Sequence, residues 1–362
     1  MNTAYKPSSS ELAASTPRDL LYTICPVLVA SNVALELGWI DDEFARVGAS
    51  AIYLRSIAGE AAWKAHYDHS SERLLRDGGN SPAVWAQADL RPTILLGLTQ
   101  AQPAGKIIVR ADDDIHHVGE LKGRRVAIYK SLKSDKIDHR RATSHHGILA
   151  ALALHGLTRD DIEWVNIEDH DGHLETPTRT PAGIWAQRHS QVDAIVAGAH
   201  SREARALGEG KVDAIYDYSI GTSHLLERSG RFKVIEDLDL YPDWTLKIAN
   251  APRTITVSKE FAEANRDVVL AWLRASIRAG RWITANPEAA AEVFLRTTIY
   301  PHAGAIADAL RSFDLVPNLS EQNIAGLTIE KNFLLSNGYI RNDFDVPAWA
   351  DASFLDEALA SL

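Results

Sequence analysis

The chain has one cysteine, Cys25, in 362 residues, so no intramolecular disulfide can hold this fold. No apolar run reaches the length a membrane-crossing helix needs. Positive charge is not in excess either. There are 48 acidic residues against 38 basic ones, a net charge of −10, which argues against non-specific binding to nucleic acid or anionic lipid. No basic, aromatic-interleaved patch offers a nucleic-acid surface. Neither a GxGxxG turn after a strand nor a Walker A lysine loop is present, so a nucleotide-binding enzyme is not indicated. There is no internal repeat. The first twenty residues contain Glu11, Arg18 and Asp19 and no continuous apolar core, so they do not read as a secretory signal. Ile24, rather than a small residue, precedes Cys25, which argues against a lipid-attachment site. A reducing cytoplasm is the expected compartment.

What is present reads as an ordinary globular protein, with 46% hydrophobic and 24% charged residues and enough length for two domains. Residues 1–17, rich in Ser, Pro and Ala, read as a flexible lead. Strand-like and helix-like segments then alternate. Strands are expected at Leu20–Ile24, Ala51–Leu54, Thr93–Thr99 and Lys106–Arg110. Helices are expected from about Pro26 to Leu37 and from Ser81 or Pro82 to Ala88. A second unit is expected from Asp112, with a helix over Ser144–His155 stopped by Gly156 and strands at Trp164–Ile167, Ala194–Val196 and Val212–Tyr216. From Thr254 onward the pattern turns helical, with Val268, Trp272, Ile277 and Trp282 at helix spacing. This alternation predicts an α/β fold with a largely parallel sheet and helices on both faces.

A lone thiol is either a small buried hydrophobe or a reactive group. Pro26 favours the second reading, because proline is common at the first helical position and would set Cys25 at a helix N-terminus, where backbone N–H groups favour a thiolate. Forty-one residues on comes His66, then Arg76-Asp77-Gly78-Gly79 with Pro82 close behind. Arginine binds two oxygens of an anion in a planar fork, and glycines let backbone amides approach it closely. Ser81-Pro82 reads as an N-cap followed by proline, aiming a helix N-terminus at the same anion. A histidine near a thiol can accept its proton or carry one to substrate. His69 would share a helical face with His66 and is treated as its reserve. Asp169-His170-Asp171-Gly172-His173 reads as a solvated loop rather than a metal site.

Two stretches resemble the periplasmic-binding-protein type II superfamily: Glu120-Leu121-Lys122-Gly123-Arg124-Arg125-Val126-Ala127-Ile128, at the start of a second lobe, and Ala206-Leu207-Gly208-Glu209-Gly210-Lys211-Val212-Asp213-Ala214-Ile215. That resemblance implies two α/β lobes around a central ligand cleft, with lobe I formed by 18–111 and 246–362 and lobe II by 112–245. The series Tyr22-Thr23-Ile24-Cys25-Pro26-Val27, His66-Tyr67 and Arg76-Asp77-Gly78-Gly79, together with Asn332-Phe333-Leu334-Leu335-Ser336-Asn337, is similar to the aromatic sulfinate desulfinases of that superfamily. The resemblance implies a hydrolase that cleaves a carbon–sulfinate bond and releases sulfite. Cys25 would be its nucleophile or proton donor, His66 its acid/base partner and Arg76 its sulfinate clamp. Substrate contacts are expected from Thr23, Tyr67, Gly78, Gly79 and His145.

Two departures point to a more polar pocket: His145 stands where the family has a tryptophan, and Tyr67 where it has a phenylalanine. The expected partner is a small-molecule sulfinate, with no cofactor, metal, nucleic acid or membrane, and the chain is expected to act as a monomer. A solute-binding protein for sulfonate-like anions is the alternative; it explains the fold and Arg76 but leaves Cys25 unused. The related fold used in thiamin-pyrimidine synthesis carries a cysteine-rich motif that is absent here.

Overall fold

The computed structural model describes residues 17–57, 60–100, 104–170, 180–183, 202–219, 226–300 and 302–362. The expected strand Ala194–Val196 and part of the His170–His173 loop lie outside them, as does most of the lead. The described chain groups into two compact units. One takes residues up to 101 and from 251 to the end, with 180–183; the other takes the described parts of 102–172 and 188–250. The divisions therefore fall earlier and later than the expected 111/112 and 245/246. The reason is hydrogen bonding: Lys106–Arg110, expected in lobe I, pairs along both edges with strands of the second unit.

The first unit holds six strands: β1 (Leu20–Ile24), β2 (Ala51–Tyr53), β3 (Leu74–Gly78), β4 (Thr93–Gln100), β10 (Arg253–Ser258) and β11 (Asp314–Asn318), in the order β11-β4-β10-β3-β1-β2. The second holds β5 (Lys106–Arg110), β6 (Arg125–Ser131), β7 (Glu163–Asp169), β8 (Ala214–Asp217) and β9 (Phe232–Asp237), in the order β7-β6-β8-β5-β9. Both sheets are mixed. In the first, β1 runs parallel to β2 and β3, while β10 is antiparallel to β3 and β4.

The expectation of helix from Thr254 fails at β10. Its Arg-Thr-Ile-Thr-Val-Ser run is β-branched at four of six positions and wholly buried, and β-branched side chains suit a pleated surface better than a helix. The apolar helix periodicity begins only in the helix Arg266–Ala285.

The site-bearing strands are buried along their whole length, as β1 and β3 show. Strands covered on both faces read as continuous apolar runs, and Leu20-Leu21-Tyr22-Thr23-Ile24 was legible for that reason. Under β1, Tyr22 stacks on Tyr53 and tilts against Trp272, each at 5.2 Å between ring centroids. Leu20 and Leu75 are fully buried on the same face, and Leu74 is fully buried on the other, with Leu21, Leu54 and Ala65, each contributing about 1.5–3 kcal/mol relative to exposure. In the second unit, Ile107, Val109, Val126 and Tyr216 belong to one apolar core, and the Tyr216 hydroxyl accepts the Gly105 N–H at 3.1 Å. Four short helices accompany the first three strands: α1 (Ala30–Glu36), α2 (Trp39–Arg46), α3 (Glu60–Asp68) and α4 (Asn80–Trp85). Among the described residues, no helix is long and apolar enough to cross a membrane.

Candidate active site

Cys25 leaves the C-terminal end of β1, and its N–H donates to the Asp77 carbonyl of β3 at 2.9 Å. The helix expected from Pro26 does not start there. Val27 N–H donates back to the Cys25 carbonyl at 2.8 Å, which closes a three-residue turn. Asn32 Nδ2 then holds the Val27 carbonyl at 3.0 Å. Helix α1 begins only at Ala30, after an extended Val29. A helix N-terminus therefore does not supply the thiol's surroundings. Side chains do.

Three of these come from the expected constellation. His66 Nε2 lies 3.7 Å from Cys25 Sγ, and an Arg76 Nη2 N–H donates to the same sulfur at 3.5 Å. On its other side the His66 ring is held by Thr23, with Oγ1 and Nδ1 2.7 Å apart. Thr23, His66 and Arg76 are buried, while Cys25 keeps partial access to solvent. Register explains the grouping. Thr23 is paired with Arg76 across β1 and β3, so both side chains emerge on one face of the sheet. Helix α3 carries His66 onto that face.

Arg76 was expected to clamp an anion with two nitrogens of its planar fork. It sits within β3 and is 1% exposed. Its Nε donates to the His66 carbonyl at 2.9 Å and its Nη1 to the Gly79 carbonyl at 2.6 Å. Two of its nitrogens thus brace the turns that carry His66 and Gly79, and Nη2 faces the thiol. Gly78 is required by close approach. A Cβ built there would lie 2.3 Å from Cys25 Sγ and 2.7 Å from Cys25 Cβ. Gly79 is extended rather than left-handed, and it precedes α4 as its N-cap. Helix α4 starts at Asn80, so Ser81 and Pro82 stand inside its first turn rather than at its cap.

His69 does not share a face with His66. Helix α3 ends at Asp68, and His69 takes a left-handed φ of 54°. Its Nε2 lies 2.9 Å from Thr256 Oγ1, and its carbonyl accepts Arg91 Nη1 at 2.6 Å. Burial, reinforced by the Arg76 and Arg91 charges, lowers its pKa to about 3, so the ring is a neutral structural group.

Asp77, between the arginine and the glycines of the motif, was assigned no role from the sequence. Its carboxyl is buried, accepts Ser31 Oγ at 2.5 Å, and is raised to a pKa of about 6 by burial against the opposing pull of Ser31, Arg76 and Arg253. Arg253 is a second buried guanidinium, with its Nη1 3.1 Å from where a Gly79 Cβ would stand.

Tyr67 meets the His66 ring edge-on at 4.8 Å, which places it beside the group it was expected to join. His145 belongs to the second unit, in the helix His139–Leu154. It is 9% exposed, packs edge-on against Trp164 at 5.4 Å, and is held near pKa 4 by burial and by Arg159 and Arg141. The structure thus unites Cys25, Thr23, His66, Tyr67, Arg76, Gly78 and Gly79 in one unit and gives His145 partners within the other. No group of three or more metal-ligating side chains occurs among the described residues.

The two-unit α/β chain has the fold of the periplasmic-binding-protein type II class. It is shared with the periplasmic aliphatic sulphonate-binding protein SsuA from Escherichia coli at a TM-score of 0.62 and 19% identity, covering 92% of this chain and 91% of that one. Within that class the chain resembles 2'-hydroxybiphenyl-2-sulfinate desulfinase of Rhodococcus erythropolis, at 25% identity over 378 residues covering 97% of this chain and 96% of the relative. A solved structure of DszB, a cysteine-to-serine variant in complex with biphenyl-2-sulfinic acid, superposes at a TM-score of 0.75 with 22% identity, covering 95% of this chain and all of that one. No protein-family model matches the chain.

Proposed function

We propose that this protein is a sulfinate desulfinase that hydrolyses the carbon–sulfur bond of an aromatic sulfinate and releases sulfite, with Cys25 as nucleophile. The observation that carries the reading is the geometry at one sulfur atom: an imidazole nitrogen at 3.7 Å and a guanidinium N–H at 3.5 Å, on a partly exposed thiol. A solute-binding protein needs no such arrangement. Full-length similarity to 2'-hydroxybiphenyl-2-sulfinate desulfinase, and a DszB structure holding biphenyl-2-sulfinic acid, support the substrate class. The sulfonate-binding alternative rests on the fold alone.

In this reading His66 donates through Nδ1 to Thr23 Oγ1, which leaves Nε2 to accept the Cys25 proton. The Arg76 Nη2 N–H faces the same sulfur at 3.5 Å. The thiolate attacks the sulfinate sulfur and forms an S–S bond. The aryl carbon departs with the C–S electron pair and takes the proton that His66 holds. Water then attacks the sulfur of the enzyme-bound SO2 group, restoring the thiol and releasing bisulfite. The sum is one sulfinate and one water giving one arene and one bisulfite. With Nε and Nη1 of Arg76 already engaged on backbone carbonyls, sulfinate oxygens are held at the Nη2 side and by the Gly79 amide at the start of α4. Tyr67 borders the aryl group.

Mass spectrometry of the protein quenched during turnover tests the covalent step. An increment of one SO2 on the Cys25 peptide supports nucleophilic attack, and sulfite production with an unmodified Cys25 throughout refutes it. The cytoplasmic setting belongs to this proposal too, and fractionation of the source cells tests it.

A further inference from the structure

The segment Cys25–Val29, which carries the thiol, has no regular structure of its own. It is tied down at both ends by the same residue. At its start, Cys25 N–H donates to the backbone carbonyl of Asp77; just past its end, Ser31 Oγ donates to Asp77 Oδ2 at 2.5 Å. Arg76 and Asp77 are neighbours in β3, so one side chain reaches the thiol and the other reaches α1. Ser31 and Asp77 are 0% and 1% exposed, and the second carboxyl oxygen, Oδ1, has no hydrogen-bond partner among the described residues. A buried carboxyl with one oxygen unsatisfied is costly to fold, and such a cost is retained where a function offsets it.

We propose that Asp77 is a positioning residue for Cys25, its carbonyl and its carboxyl together fixing both ends of the thiol-bearing segment so that Sγ stays within reach of His66 and Arg76. The proposal rests on the desulfinase reading for its effect on turnover, but the position of the thiol can be followed without substrate. With the Asp77 carboxyl removed, α1 loses that anchor to β3, and the segment keeps the Cys25 N–H bond to the Asp77 carbonyl, the Ile299 N–H bond to the Pro26 carbonyl and the Asn32 bond to the Val27 carbonyl. Contacts of 3.5 and 3.7 Å to a sulfur do not survive a displacement of ~1 Å, a shift on the scale that costs about a hundredfold in rate.

Two variants approach the tie from opposite sides. Asp77→Leu removes the carboxyl at similar volume, and Ser31→Ala removes its donor. Because Cys25 is the single cysteine, alkylation by iodoacetamide at one fixed pH reports the environment of that thiol alone. The expected result for both variants is a labelling rate slowed about threefold or more, as Sγ leaves the reach of His66 Nε2 and Arg76 Nη2. Sulfite release should fall about tenfold or more in kcat, with KM within twofold. Asp77→Asn, which keeps an acceptor for Ser31, recovers most of both losses. Variants that melt earlier yet keep the wild-type labelling rate and kcat would show a purely structural residue and overturn the proposal. If the wild-type protein releases no sulfite from any aryl sulfinate, the desulfinase reading fails, while the labelling rates still decide the positioning claim.

Discussion

Gly78→Ala places a methyl group where the structure has room for none. The added carbon would stand 2.3 Å from Cys25 Sγ and 2.7 Å from Cys25 Cβ, whereas non-bonded carbon atoms settle at about 3.5–4 Å. Rotating the thiol relieves the first contact but not the second, because Cβ does not move with χ1. The backbone at Cys25 must therefore retreat by about 1 Å, carrying Sγ with it. Overpacking of this kind costs about 1–3 kcal/mol of stability, and a misplacement of that size costs about a hundredfold in turnover. The variant should fold, label more slowly with iodoacetamide, and release sulfite about a hundredfold more slowly than wild type. Gly304→Ala is the control, since a Cβ there meets nothing within 4 Å, and it should leave both rates unchanged. A Gly78→Ala protein with wild-type labelling and turnover would refute the argument that this glycine exists to admit the thiol.

Thr23→Val keeps the shape of a fully buried side chain but removes the partner of His66 Nδ1, so kcat should fall about tenfold, equivalent to ~1.4 kcal/mol. Steady-state kinetics check this, and unchanged kcat would show that Thr23 does not orient the ring. His69 gives the acid limb of stability. Its pKa is lowered to about 3 in the fold against ~6.5 unfolded. As pH falls from 6.5 to 3 the unfolded chain binds a proton that the native chain refuses, and up to about 5 kcal/mol of stability is lost. Urea unfolding across this range should show that limb, flattened in His69→Asn. Asp77 works with the opposite sign. Its pKa is raised to about 6 from an ordinary value near 3.8, so the native chain keeps a proton that the unfolded chain has already lost. Stability from this group falls as pH rises between those values, by up to about 3 kcal/mol. Asp77→Asn should accordingly be more stable than wild type at pH 7 and gain little at pH 4, and equal stabilities at pH 7 would contradict it.

Much of the site was legible because its residues lie on a short stretch of chain with strong local signals. Leu20–Ile24 is a continuous apolar strand, and the thiol stands at its end. His66 and Arg76 could be picked out as residue types, but what they touch depends on register. Thr23 and Arg76 face the same way because β1 and β3 pair in parallel at that offset, which no local pattern encodes. The helix expected at Pro26 failed because Val27 N–H folds back on the Cys25 carbonyl and Asn32 takes the Val27 carbonyl, so the helix starts only at Ala30. That two of the Arg76 nitrogens are taken by backbone carbonyls, leaving Nη2 toward the thiol, follows from its place in β3 and from no local pattern. Asp77 escaped notice because its partner, Ser31, lies 46 residues away. Strand β10 carried a readable β-branched signal that the longer helical pattern behind it obscured.

The central claim is that Cys25, set between His66 and Arg76, breaks a carbon–sulfinate bond. Its most direct test is the release of sulfite from biphenyl-2-sulfinate and 2'-hydroxybiphenyl-2-sulfinate by the purified protein and by Cys25→Ser, which leaves a hydroxyl in place of the thiol. The account predicts stoichiometric sulfite and arene from the wild-type protein and none above background from the variant. Sulfite release by Cys25→Ser at a rate near wild type would contradict it.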